Sequence, residues 1–393
     1  MAKRSNRWVF NRIKKDAMKR SLLPTRRSNN ERAILSLIRQ CETLPKAQIA
    51  KALSLSAQAA TVNINKLEED KLLLRDAPVK GRVGQPSVPF RLNPDGAFSF
   101  GLKIGRRRFD LIVIDLQSTQ RASVSVEVNV PNIDELKAFL KTNIPQLLRE
   151  LGCDLSTRVC GLGVAMPFDI WHWHAENPEQ QAQLLEWQHF DLKTYLETEF
   201  ELPVYISNDN NAACCAELSL GNRQNYSDFL YVYLGAFLGG AVVINRQLLE
   251  GKSGNAGAIG SMLNAQHEQL LTLCSLLELQ KQFDAAQLNL SVYQLTDSQF
   301  KEHYALILPW LKKAAEAISV AMHHSLSLLD MQAVVIDSPL PKDALDVVRQ
   351  LTLEAFARLD SRGLRLCDVS VGVCGEKAQS IGSAQLALSH HYF

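Results

Sequence analysis

Four polar residues, Ser56, Gln58, Thr61 and Asn65, recur along a segment whose apolar residues, Ala60, Ile64 and Leu67, repeat at helical spacing. The polar set faces away from the apolar stripe. Hydroxyl and amide side chains both donate and accept, which is what reading base edges in a DNA major groove requires. A merely solvated helix face has the same composition, so the reading rests on what surrounds it. Downstream, Lys80-Gly81-Arg82-Val83-Gly84-Gln85-Pro86 concentrates cations and glycines in one short stretch. Arg82 there has the chemistry to enter a narrow A·T minor groove, and Gln85 is a second candidate contact. His172 and His174 stand two apart in a Trp-His-Trp-His run and could share a strand face to hold a metal. No third ligand accompanies them, and the run reads as a loop that packs aromatic rings. His323-His324 fall inside a long apolar-rich helical stretch and read as packing or surface residues. The eight cysteines form no CxxC or CxC pair, and the adjacent Cys214-Cys215 is a poor arrangement for a bridge. Reduced thiols are expected.

The elements that must position the polar set lie in a basic end of the chain. Residues 1–92 hold 20 Lys+Arg against 7 Asp+Glu, a net of +13, while residues 93–393 hold 23 against 34, a net of −11. Clustered Lys and Arg are rewarded by phosphates through counterion release, and an acidic body is repelled by them. Residues 1–28 contain ten Lys/Arg and one acid, as expected of a basic arm. Three helical stretches follow, the first capped by Asn30 with Ala33, Ile34, Leu37 and Ile38 inward. The second opens at Pro45 with Ile49, Ala50 and Leu53 inward, and the third runs from Ala57 to Asp70 behind Ser56. Helix, tight turn and capped helix is the helix-turn-helix layout. Leu72–Leu74 and Ser87–Leu92, flanking the basic stretch, complete it with a β-hairpin wing. From Ala97 apolar strands alternate with helices in two successive mixed units, the pattern of a two-lobed α/β body. No apolar run approaches the roughly 18 residues of a membrane span, and the polar, basic start is unlike a secretory signal.

Five stretches together resemble the ROK (repressor, open reading frame, kinase) family. They are Gly84-Gln85-Pro86 in the wing, FGLKIGRRRFDLIVIDL (100–116), SNDNNAACCAE (207–217), YLGAFLGGAVVINRQLLEGKSGNAGAIGSM (233–262) and AQSIGSAQLA (378–387). Beyond the basic arm read from charge over residues 1–28, the resemblance implies an α/β chain with a winged helix-turn-helix over 29–93 and a two-lobed actin-like sugar-kinase (ROK) domain over 94–393. It also implies site residues. Asn208-Asp209 match an Asn-Asp pair in which the Asp deprotonates a sugar hydroxyl in the kinases; an Asp at a strand end is also a common helix cap. Gly257, of the Ala-Gly pair, and Ser261, at the place of a family His, complete the implied ligand set.

The kinase chemistry implied by the resemblance is altered at several positions. Lys103 stands where the kinases carry an Asp, and Gly105-Arg106-Arg107 replaces their Gly-Gly-Thr turn. Losing that carboxylate removes an oxygen ligand for a Mg²⁺–phosphate unit. The second phosphate loop is Gly235-Ala236-Phe237-Leu238-Gly239-Gly240-Ala241, and Phe237 takes a place where glycine lets backbone approach phosphate. A family Gly-Gly is Asp337-Ser338. Ala258 and Ser261 replace a Glu and a His that contact sugar, and with only His267 and Cys274 nearby the family's zinc site cannot be built. The expectation is a cytoplasmic, sugar-responsive transcription regulator, a repressor without catalysis, metal or cofactor. Its expected partners are operator DNA and a sugar or sugar-phosphate effector, and its expected assembly is a homodimer or dimer of dimers, with no membrane association. The alternative is an ATP-dependent sugar kinase that has kept a DNA-binding domain.

Overall fold

In the computed structural model the described residues are 26–78, 87–173, 175, 177–221 and 226–393. Most of the basic arm, the wing tip with Arg82 and Gln85, and His174 lie outside them. Helix α1 (Asn29–Cys41) buries Ile34, Leu35 and Ile38. Its cap is Ser28, not Asn30. Ser28 Oγ accepts from the Glu31 amide at 3.3 Å while Glu31 Oε2 accepts from the Ser28 amide at 2.9 Å. This reciprocal capping box satisfies two orphan donors, where Asn30 would satisfy one. Helix α2 (Lys46–Ala52) opens at Pro45 and buries Ile49. Helix α3 (Ala57–Glu69) is capped by Ser56 and buries Ala60, Ile64 and Leu67.

Two strands of the wing, β2 (Leu73–Arg75) and β3 (Pro89–Leu92), pair antiparallel with Leu73 opposite Leu92. A two-residue strand, β1 (Leu44–Pro45), joins the other edge of β3 to give the order β1-β3-β2. Two residues are too few to leave an alternating signal, so the periodicity reading contains no such strand.

The chain divides into two compact units. One holds the winged helix and the residues up to Val164, with Asp169–Ile206 and Ala384–Phe393. The other holds Ala165–Phe168 and Ser207–Ser383. The first contains a five-stranded sheet ordered β6-β5-β4-β7-β8. Its strands are β4 (Phe98–Ile104), β5 (Arg108–Asp115), β6 (Gln120–Glu127), β7 (Val159–Met166) and β8 (Val204–Asn208). Strands β4, β5 and β7 are buried almost throughout, whereas β6, at the sheet edge, alternates Ser and Val and stays largely exposed. Helices α4 (Ile133–Leu151), α5 (Pro178–Glu186) and α6 (Leu192–Phe200) complete this body.

Within that unit the winged helix is tied down along two lines. The Asn93 amide donates to Leu72 O at 2.9 Å, Gln117 Nε2 donates to Leu92 O at 3.0 Å, and Arg121 bridges Asp95 and Asp115 at 2.8 and 3.3 Å. Gly96 is required here because a Cβ would stand 2.9 Å from Lys71 O. On the other side the last residues of the chain meet α1. Arg32 donates to Ser389 O at 3.2 Å, the Arg27 amide donates to His391 O at 3.0 Å, and the Arg39 guanidinium lies 3.7 Å over the Phe393 ring.

The second unit opens with helix α7 (Asp209–Ala216). Its sheet is ordered β11-β10-β9-β12-β13, built from β9 (Phe229–Leu234), β10 (Leu238–Ile244), β11 (Gln247–Leu249), β12 (Ala333–Asp337) and β13 (Asp368–Val371). β9 and β12 pair parallel, as do β12 and β13, and β10 pairs antiparallel with its two neighbours. Helices α8 (Leu276–Ala285), α9 (Asp297–Glu302), α10 (Tyr304–Leu329) and α11 (Lys342–Phe356) contribute apolar residues to one large core. Trp310 of α10 is fully buried and its indole donates to Ser275 O at 3.1 Å. Helix α12 (Ala378–Tyr392) closes the chain, its first six residues in the second unit and the remainder in the first.

Candidate nucleic-acid interface and effector site

The DNA-facing candidates are ordered by α3. Gln58, Thr61 and Asn65 are exposed, and Ile64 and Leu67 are buried on the opposite side. Ser56 accepts from the Ala59 amide at 3.1 Å, so its cap role occupies one lone pair and leaves its O–H to donate. Asn65 Oδ1 accepts from Lys46 Nζ at 2.6 Å, which joins the two helices of the motif through a polar pair. Val62 lies on α3 between these residues and is 60% exposed. An exposed valine on such a face suits a thymine methyl, and a polar-only search of the sequence passes over it.

Behind this face Glu31 is buried and holds Lys66 Nζ at 2.9 Å. Burial works to raise its carboxyl, but the hydrogen bonds from Lys66 and Ser28 outweigh it and hold the group below the usual range. The pair anchors α3 to α1.

Two of the implied ligand residues, Asn208 and Asp209, stand at the start of α7. Asn208 caps the helix, its Oδ1 accepting from the Asn210 amide at 2.9 Å. Asp209 accepts from Asn210 Nδ2 at 3.1 Å and from Gln379 Nε2 of α12 at 3.2 Å. Asn211 donates to Gly254 O at 3.0 Å, while its Oδ1 is buried and accepts from no described residue. Gly257 has φ +82°, and a Cβ there would stand 2.6 Å from Ala241 Cα, so both conformation and space demand glycine. Ser261 is exposed. Gln379 and Asn211 belong to stretches that carry the family resemblance, but the pairing of Gln379 with a residue 170 positions away leaves no local signal.

The positions that hold nucleotide in the kinase template are taken up differently. Lys103 faces Asp110 across the β4–β5 pair, Nζ 3.9 Å from Oδ2, so the added cation is met by an acid on the adjoining strand. In the second loop Gly235 O accepts from the Leu276 amide at 2.9 Å and Ala236 O accepts from Ser275 Oγ. The Asn210 amide group lies against Gly239, where a Cβ would come within 2.3 Å of it. Asp337 and Ser338 are fully buried. Asp337 accepts from Tyr231 OH at 2.9 Å and from the Gly375 amide at 3.0 Å, and Ser338 Oγ donates to Leu234 O at 2.7 Å. Nearby, burial pushes the Glu217 carboxyl up to about 7.

Trp171 and His172 lie in a short 3-10 turn, Ile170–His172, with His172 3.7 Å from Asp169 and the Trp173 ring 5.1 Å from the Arg106 guanidinium. His323 Nε2 pairs with Asp360 O at 3.1 Å on the surface. All eight cysteines are free thiols.

A winged helix followed along the chain by two α/β sheets defines a class of protein, a DNA-binding module joined to a sugar-kinase-like body. The ROK family model matches residues 99–390 and a winged helix-turn-helix DNA-binding model matches residues 27–73. The chain belongs to the ROK family. It is similar to an uncharacterized protein, y4fQ, of Sinorhizobium fredii, with 23% identity over 93% of this chain and 92% of the other. It is also similar to the xylose repressor of Bacillus spizizenii, with 23% identity over 59% of this chain and 60% of the repressor's length. Among solved structures, a ROK family transcriptional regulator, a homologue of the Escherichia coli MLC protein, superposes with a TM-score of 0.66 at 15% identity. That superposition covers 92% of this chain and 96% of the other, and it shows the same fold.

Proposed function

We propose that this protein is a sugar-responsive, DNA-binding transcriptional repressor whose ROK domain senses a sugar or sugar phosphate without phosphorylating it. The observation that carries the reading is the exposed face of α3, with Gln58, Thr61, Val62 and Asn65 presented on a capped helix of a winged module. Similarity to a xylose repressor supports it from outside the chain. Ser56, Gln58, Thr61 and Asn65 contact operator DNA, with Arg82 and Gln85 as wing contacts. Asn208, Asp209, Gly257 and Ser261 line the effector site, where Asp209 accepts a sugar hydroxyl rather than deprotonating it for attack. Residues 29–93 form the DNA-binding domain and 94–393 the sensor. Operator symmetry calls for a homodimer or a dimer of dimers, working in the cytoplasm. Among the described residues no helix is long and apolar enough to cross a membrane.

Operator selection from random duplexes, followed by binding titrations with a panel of pentoses, hexoses and their phosphates, tests this reading. A bound effector is expected to change operator affinity by about 1–3 kcal/mol. The second reading, a sugar kinase, draws on Asp209 at the start of α7. A coupled assay with Mg-ATP over the same panel separates the two, and turnover there would establish the kinase.

A further inference from the structure

A second chemical cluster lies within the second unit, formed by residues other than those named for the family's zinc site. Glu217, Asp337 and Cys374 each offer one ligand atom, and the three atoms lie within 4.8 Å of one another. They come from three elements. Glu217 begins the π-helical turn Glu217–Gly221 at the end of α7, Asp337 ends β12, and Cys374 follows β13. A π turn adds a residue to the helical repeat and redirects the side chains that follow it, and such turns cluster at functional sites.

The protein partners of these groups leave the cluster short of positive charge. Asp337 is fully buried and Glu217 is 3% exposed. Glu217 Oε2 accepts from the Val373 amide at 3.1 Å, and among the described residues nothing donates to its Oε1. Asp337 is oriented by Tyr231 OH and by the amides of Ser338 and Gly375. Among the described residues no lysine, arginine or histidine pairs with either carboxylate, and no side-chain hydrogen bond joins the three groups to one another, while the Cys374 backbone amide also donates to Asp337. Among the described residues two carboxyls and a thiol are thus collected without a counterion, an arrangement that is unfavourable unless protons or a cation neutralise it. A divalent cation between them offsets two of the three negative charges, and the donors that orient Asp337 are the outer partners a metal ligand requires.

We propose that Glu217, Asp337 and Cys374 bind one divalent transition-metal ion of the zinc type. Thiolate with carboxylate donors suits zinc, whereas magnesium and calcium take oxygen donors alone. Tetrahedral zinc holds such ligand atoms about 3.5 Å apart, so separations of at most 4.8 Å need only a small closure on binding. The ion ties the end of α7, the helix that begins with Asp209, to the ends of β12 and β13. With three protein ligands the ion leaves its fourth tetrahedral position to water, and the site is independent of the effector reading.

The full chain, loaded with ZnCl₂ and desalted, is expected to retain about one zinc that E217Q, D337N and C374S each fail to hold. Cobalt in place of zinc is expected to give a thiolate-to-metal charge-transfer band that C374S removes while remaining folded by circular dichroism. Chelator treatment should lower the melting temperature of wild type and leave that of C374S unchanged. Equal zinc content in wild type and C374S, or a wild-type melting temperature indifferent to both ZnCl₂ and chelator, would overturn the proposal. The cluster would then be neutralised by protons alone.

Discussion

The exposed face of α3 and the polar start of α7 are both short helical segments rich in Asn, Gln, Ser and Asp, and they are built in opposite ways. On α3 the candidate side chains point to solvent, and what fixes them is local: a Ser56 cap, a neighbouring Lys46, and an apolar stripe on the other side. On α7 the corresponding groups are held by partners far along the chain. Asp209 is met by Gln379, Asn211 by Gly254, and Ala212 by Gly382, where even a Cβ would stand 1.6 Å from the Ala212 carbonyl oxygen. The surface proposed to meet operator DNA keeps its donors unspent, whereas the site proposed to hold a sugar spends part of its hydrogen bonding on being rigid.

The largest effect that follows is on stability. Gly382→Ala drives a methyl into the α7 backbone and is expected to cost about 3 kcal/mol or more, read as a loss of soluble protein or a lower urea midpoint. An exposed change on α3 such as Thr61→Ala should stay within about 0.5 kcal/mol. Equal costs for the two would erase the contrast between the helices.

Next is the effector response. Asp209→Ala is expected to abolish the sugar-induced change in operator affinity, about 1–3 kcal/mol of coupling, while operator binding without sugar is retained. A retained response would leave Asp209 as a helix-start residue only. Replacing both Gln58 and Asn65 by Ala should flatten base preference by about 1–3 kcal/mol for each good contact, measured by competition between matched and mismatched duplexes. An unchanged footprint and preference would move the recognition surface elsewhere.

Smaller still is the cap. Ser56→Ala removes the acceptor of the Ala59 amide and is expected to cost about 1 kcal/mol, seen in thermal melts. The smallest effect concerns acid. The Glu31 carboxyl, held below its usual range despite burial, contributes stability that is complete above the unfolded carboxyl's range near pH 4.5 and is lost as pH falls through the lower folded value. The gap in melting temperature between wild type and Glu31→Gln should therefore narrow on acidification, and a gap that widens would remove Glu31 from this role.

The winged module was legible almost helix by helix, because its signals are short in range. Apolar residues three and four apart, a serine before a helix and a basic hairpin sequence all act within a few positions. Even there the first cap moved from Asn30 to Ser28, since the reciprocal partner Glu31 decides between two adjacent cap residues. The two-residue strand Leu44–Pro45 left no periodic trace and exists because β3 offers it an edge.

In the body, motif resemblance pointed to Asn208, Asp209 and Gly257. It did not reveal that Gln379 reaches Asp209, or that Lys103 is answered by Asp110 across a strand pair. It also left Glu217, Asp337 and Cys374 scattered over 158 positions, from 217 to 374 inclusive, although their ligand atoms meet within 4.8 Å. Helix periodicity and cap chemistry were sufficient for the helix-turn-helix layout and for the exposed polar side of α3, because those properties depend on near neighbours. Which buried polar group faces which was settled only by folding. A hydrogen bond or an ion site depends on distances of a few ångströms between side chains, and the order of residues along the chain does not encode those distances.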